Sequence, residues 1–314
     1  MCSKNGSLLA DLERLSPEKG CELLHAKSLT CNLAKCLIEE HSDILHAQKS
    51  SVTKMEFKDQ IWRIQISNNL SFESSNVYMA TGSAPKLLPE IHQYTSSDCL
   101  TVDLDDALTP SKLKSLIGKD DIVAVIGSSH SAVLALKNLA ELADRPIKIK
   151  NFCRSSLKYA VYMENWILYD NTGLKGIAAE WAKEYLEENK LPFLNRIMLN
   201  DSSKELEIYQ KELKDCTKLI FAIGYERNPL PKIFFEEKQC SDKDIDYDKL
   251  NGQIELNDNG VRKPLEGLFG YGIAFPEKII DPHGNQEYSV GLWKFMRYIK
   301  SVIVESSLKL INAA

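Results

Sequence analysis

The residues with most chemistry to offer stand at Gly127-Ser128-Ser129-His130-Ser131-Ala132, and again at Arg154-Ser155-Ser156. A glycine-led turn rich in hydroxyls, opening a helix, suits an anion. Its backbone N–H groups and the positive end of the helix point the same way. His130 is the one ionisable group in the turn, either a phosphate contact or a solvent-facing first-turn residue. Arg154, flanked by hydroxyls, offers a charge-assisted partner for a second phosphoryl group; a surface arginine at a strand end is the plainer alternative.

These residues need a strand on either side. Ile122–Ile126 is a short, β-branched apolar run, which predicts a buried strand ending at Gly127. From Ala132 the apolar positions Leu136, Leu139 and Ala140 fall at helical spacing. Strand, turn and helix together read as the first unit of a dinucleotide-binding domain. Against G-x-G-x-x-G/A, Gly127 supplies the tight turn, Ser129 takes the second position and Ala132 the helix-packing one. Serine narrows the approach but brings a hydroxyl donor. An ordinary βα turn of a parallel sheet remains the alternative. Pro146–Phe152 predicts the second strand, and at its end an acid would select NAD and a base NADP. Arg154 there favours NADP.

Composition bounds the rest. A chain of 314 residues has room for two domains, and 44% hydrophobic with 26% charged residues is ordinary for a globular protein. A net charge of −5 with no Lys/Arg cluster argues against a nucleic-acid partner. No apolar run is long enough to span a bilayer, and MCSKNGSLL lacks a signal-peptide core, so the expectation is a cytoplasmic protein without a membrane partner. Eight cysteines follow no metal-ligand spacing. Cys31 and Cys36 are spaced as in some flavin disulfide reductases, but Leu33, Leu37 and Ile38 continue a helix through them, and they are left out of the site.

In chain order, residues 1–45 read as helix-prone and polar. Val52–Phe57 and Ile61–Ile66 predict a hairpin, and Val77–Met79 a strand running into Ala80-Thr81-Gly82. Thr109-Pro110 opens a short helix that Gly118 closes. Asp170–Gly173 is a turn able to cap a helix that puts Ile177, Trp181 and Tyr185 on one packing face. Lys218–Ile223 predicts a strand ending in Gly224-Tyr225, residues 236–250 a solvated loop or arm, and Gly252–Leu256 and Gly267–Ala274 further strands. The last element, Val290–Ile311, is an amphipathic helix with Leu292, Phe295, Met296, Ile299, Val302 and Ile303 inward.

Taken in order, these motifs resemble the superfamily of flavoproteins with two dinucleotide-binding domains, which includes pyridine nucleotide-disulfide oxidoreductases and flavin-dependent monooxygenases. There a strand ending ATG-x-x-P leaves the FAD domain, matched by Ala80-Thr81-Gly82 and Pro85. A second strand returns from the NADP domain, matched by Phe221–Tyr225, with the NADP unit between them. A late strand then approaches the flavin, where Gly267–Gly272 fits.

The resemblance implies an α/β protein in which a Rossmann-like NADP-binding domain, 111–231, is inserted into an FAD-binding-type domain, 1–110 and 232–314. It implies hydride transfer from NADPH to FAD and on to a small-molecule or dioxygen acceptor, or, alternatively, a non-catalytic NADP(H)-binding module derived from such an enzyme. Gly127, Ser128, Ser129, His130 and Ser131 would hold the NADP diphosphate, and Arg154 with Ser155 the 2′-phosphate. Ala80, Thr81, Gly82, Gly224 and Tyr225 would line the crossover, and Gly272 with Ser289–Gly291 would face the flavin. Two departures stand out. No strand–GxGxxG–helix unit precedes Val52, Gly6 lacking the preceding strand, so the FAD-binding domain reads as incomplete, through a truncated copy or gene model. And Ile273 follows Gly272 where the group carries an acid.

Overall fold

A computed structural model describes residues 13–14 and 23–312, with side chains from 24 to 302 outside the masked positions. Gly6 and the rest of the first twelve residues lie outside it, as does the side chain of Ile303. The described elements begin with helix α1 (Leu23–Glu40), followed by strands β1 (Val52–Lys58), β2 (Ile61–Ile66), β3 (Ser71–Ser74) and β4 (Val77–Met79). Next come β5 (Leu100–Thr101), α2 (Pro110–Leu116), β6 (Ile122–Ile126), α3 (His130–Glu141), β7 (Lys148–Cys153) and α4 (Gly176–Trp181). Then follow β8 (Leu194–Met198), α5 (Glu205–Glu212), β9 (Lys218–Phe221), β10 (Lys232–Phe235), β11 (Lys238–Cys240) and β12 (Ile245–Tyr247). The chain closes with β13 (Gln253–Asp258), β14 (Val261–Gly270) and α6 (Leu292–Asn312).

The chain divides into two compact units. One takes the described residues up to Gln48 and Pro85–Gly224, the other Lys49–Ala84 and Tyr225 onward. The division falls at 84/85 and 224/225, so residues 85–110 pack with the middle segment and Tyr225–Pro231 with the later one.

The first unit is built on an all-parallel sheet ordered β8-β7-β6-β9-β5. Val123, Ala124 and Val125 are completely buried, as the continuous apolar run of β6 requires in a sheet covered on both faces. Helix α3 follows β6 and lays Ala132, Val133, Ala135, Leu136 and Leu139 against it. Beside this layer, Phe152, Tyr209, Leu213, Leu219 and Phe221 share one core. The turn 170–173 does not cap α4, whose first cap is Lys175 without a side-chain bond. Instead Lys175 Nζ donates to Asp170 Oδ1 at 2.6 Å. Trp181 is buried and Tyr185 half-buried, their rings 5.6 Å apart, as a packing face demands.

The larger sheets of the second unit are ordered β11-β10-β1-β2-β3 and β12-β13-β14-β4. Each mixes antiparallel ladders with one parallel pair, β1 with β10 and β14 with β4. Trp62, wholly buried, anchors their shared core with Met55, Ile254, Leu268 and Phe275, and its indole N–H donates to Glu266 O at 2.7 Å.

Two sequence expectations are corrected here. Residues 236–250 are not a solvated arm: β11 and β12 put Cys240, Ile245 and Tyr247 into the core between charged neighbours. The alternation is too short to stand out among so many charges. In α6, Leu292 and Met296 are exposed, and the buried positions are Tyr298 and Val302, packed on Tyr271. The Tyr298 ring carries the contact, and a tyrosine's hydroxyl hides that apolar body from a purely hydrophobic pattern.

Candidate functional site

Strands β6, β7 and β9 run parallel and end side by side, and the residues that follow them converge at that edge. A cleft of about 450 Å³ there is lined by Gly127, Ser128 and Ser129 after β6, Arg154 after β7, and Ala222, Ile223 and Gly224 after β9. Phe152, Tyr209, Leu199, Leu88 and Lys86 also line it. This is the carboxyl edge of an open parallel sheet, at the strand where connections turn to opposite sides, the place such folds take ligands.

Glycine is required at 127 for packing. A Cβ there would lie 2.2 Å from the Ala222 carbonyl oxygen, and the backbone sits at φ +132°. Gly224, at φ +100°, instead has open space where a Cβ would project, so a ligand can approach its backbone. Ser129 caps α3 by position but its hydroxyl makes no capping bond, which leaves the first-turn N–H groups without a side-chain partner from the cap. Ser128 Oγ meets Ser155 Oγ at 3.2 Å, so Ser155 touches the turn from outside the cleft lining.

His130 and Ser131 fall elsewhere. His130 is exposed and belongs to a neighbouring cleft of about 620 Å³ with Lys137, Tyr162 and Lys175. Partial desolvation and the nearby Lys175 charge lower its pKa. Ser131, in the first turn of α3, does not line the 450 Å³ cleft.

Arg154 reaches the cleft but already has a partner. Its Nη2 donates to Glu205 Oε1 at 2.6 Å, and its Nε lies 3.2 Å from both carboxylate oxygens. That carboxylate holds the guanidinium pKa above its ordinary value. The sequence places no acid at the end of the second strand. The fold supplies one from α5, 51 residues along the chain.

Three further groups were missed by sequence reasoning. Asn151 is buried in β7 and ties the turn to the sheet, its Nδ2 donating to Val125 O and Gly127 O. An asparagine beside Phe152 and Cys153 at the end of a strand was the available signal. Lys86 adds a cation to the cleft, and its N–H donates to Gly224 O at 2.9 Å. Tyr209 packs on Phe152 with the rings tilted by 42° and 5.4 Å apart; desolvation and the nearby Glu205 carboxylate raise the pKa of its hydroxyl. The turn without a side-chain cap, the open space over Gly224 and the Arg154 guanidinium together fit a dinucleotide.

The remaining candidates lie in the second unit. Met79, Ala80 and Thr81 line a cleft of about 770 Å³ with Ser50–Thr53 and Pro229–Lys232. Thr81 Oγ1 is buried without a partner, while its carbonyl accepts from Asn228 Nδ2 at 2.9 Å. Gly82 and Gly272 have φ of +73° and +76°, with open space beyond Gly272. Tyr225 starts a three-residue strand, and Ser289 Oγ is buried and unpartnered just before α6. Open glycine backbone and two orphaned hydroxyls fit part of a flavin. A diphosphate turn and an acid for the ribityl chain are not among the described residues of this unit, so no step is derived through that group. Nor do the described residues contain a cluster of three or more metal-ligating side chains, or a helix long and apolar enough to cross a membrane.

No family model matches the chain. It is 38% identical over 309 residues to Monooxygenase AgnR1 of Paecilomyces divaricatus, covering 93% of this chain and 76% of that protein. Among solved structures it is similar to a flavin-containing monooxygenase from Stenotrophomonas maltophilia, with a TM-score of 0.50 at 10% identity over 87% of this chain and 74% of that one. The latter likeness speaks to the fold alone. The sequence relationship along nearly the whole chain does more: this protein belongs to the superfamily of FAD/NAD(P)-binding oxidoreductases that includes the flavin-dependent monooxygenases.

Proposed function

We propose that the chain is an NADPH-dependent oxidoreductase that holds the dinucleotide in the cleft at the end of β6. The diphosphate lies on Gly127, Ser128 and Ser129, and the adenosine 2′-phosphate is directed to Arg154. The observation that carries this reading is the convergence on one sheet edge of an uncapped helix start, the open Gly224 backbone and a guanidinium.

The protein's own groups bind and orient. Lys86 adds positive charge beside the turn, and Phe152 offers an apolar wall to a base or ribose. FAD supplies, when bound, a hydride acceptor able to pass electrons to a second acceptor. The monooxygenase relative favours dioxygen as that acceptor and a small organic molecule as substrate. Six described cysteines without disulfides suit a reducing compartment such as the cytoplasm.

A second reading, an NADP(H)-binding module without flavin chemistry, is favoured by Ile273 in the place of the acid. The purified full chain separates the two. Flavin absorption that bleaches on addition of NADPH supports the enzyme, and a colourless chain that binds NADPH supports the module. A chain that binds no NADPH at millimolar concentration overturns both.

A further inference from the structure

Arg154 and Glu205 form an ion pair at the rim of the cleft, and the pair is unequal. The arginine side chain is 68% exposed, whereas the Glu205 side chain is only 13% exposed. Glu205 takes the Nε and Nη2 donors of the guanidinium, one of its bidentate faces for a carboxylate or a phosphate. One turn further along α5, Tyr209 lines the same wall beside the Glu205 carboxylate. So one helix presents to the cleft a largely buried anion and, one turn later, a phenol.

We propose that Glu205 is a specificity-determining residue: it competes with the 2′-phosphate of NADPH for Arg154, and so lowers the preference for NADPH over NADH that the arginine alone would confer. This rests on the dinucleotide reading given above. A phosphate at Arg154 must displace the carboxylate from the fork or sit beside it, and either arrangement brings two anions together. A ribose 2′-hydroxyl asks for no such exchange and leaves the pair intact. Arg154 thus answers to two anions, one built in and one delivered by the ligand.

The test compares adenosine 2′,5′-bisphosphate with 5′-AMP, by calorimetry on the full chain. Glu205→Gln keeps the shape and removes the charge. The expected result is tighter binding of the bisphosphate by about 10-fold or more, the scale of one hydrogen bond to a charged group, with 5′-AMP unchanged. An unchanged or lower ratio of the two affinities overturns the proposal and makes Glu205 a support that merely aims Arg154. A measurement on the unmodified chain guards against a variant that does not fold. With [15N]arginine labelling, the Arg154 Nε–H resonance, identified by its loss in Arg154→Lys, must shift with the bisphosphate and not with 5′-AMP. A resonance that ignores both ligands while they bind also overturns the exchange. Failure of the underlying reading is distinct, because then the unmodified chain binds neither nucleotide.

Discussion

The Asn151 amide bridges a strand and the turn beyond it, its Nδ2 donating to Val125 O at 3.1 Å and to Gly127 O at 2.7 Å. Arg196 Nε donates in turn to its Oδ1 at 3.3 Å. With Asn151 1% exposed, the carbonyls have no ready access to water. Asn151→Leu is expected to cost about 1–3 kcal/mol of stability, the penalty for leaving buried groups unpaired. Urea unfolding followed by circular dichroism checks the cost. NADPH affinity is expected to fall further than stability alone explains, since the turn loses its tether.

Gly127 is held by contact rather than by ligand. A methyl group there would overlap the Ala222 carbonyl, at a backbone angle that side chains rarely adopt. Gly127→Ala is expected to destabilise the fold by about 1–3 kcal/mol through overpacking, with strain at this φ adding to it. Gly224→Ala meets no neighbour, so it tests strain and ligand approach instead. Thermal unfolding of both variants, with and without NADPH, ranks the effects. Ligand-dependent stabilisation should survive in neither.

Arg154→Ala is expected to weaken NADPH by about 1.5–3 kcal/mol, the worth of a charged hydrogen bond, and to leave NADH within about 0.5 kcal/mol as for a surface change. Parallel titrations decide. Equal losses for both cofactors remove the 2′-phosphate from this position.

Cys216 lies wholly buried beneath the parallel sheet, and desolvation pushes its thiol up from 9.0 to about 12. The folded state therefore binds a proton more tightly than the unfolded chain does. Stability from this group is full below pH 9 and is lost as pH climbs toward 12. Urea midpoints measured from pH 8 to pH 11 should fall in the unmodified chain, and less steeply in Cys216→Ala. A neutral alkylating reagent at pH 8 should label exposed Cys31 well before Cys216.

Thr81 Oγ1 is buried with nothing to bond. Thr81→Val is thus expected to leave the ligand-free protein as stable as before or more so by up to about 1 kcal/mol. If the hydroxyl serves a flavin, occupancy in the purified protein drops, which the ratio of flavin to protein absorbance reports.

Local chemistry made parts of this molecule legible in the chain itself. The β-branched run 122–126, the glycine after it and helical spacing from Ala132 fix strand, turn and α3, because each signal acts between near neighbours. The hairpin β1–β2 follows from simple alternation in the same way. Which acid meets Arg154, which tyrosine lines the cleft and which buried amide clamps the turn were settled only by tertiary structure. Glu205 and Tyr209 are ordinary helix residues until α5 packs beside β7, and Asn151 is an oddity until β6 lies next to it. Period and propensity report what one segment buries; the partners of a charge or an orphaned hydroxyl come from segments that only folding brings together.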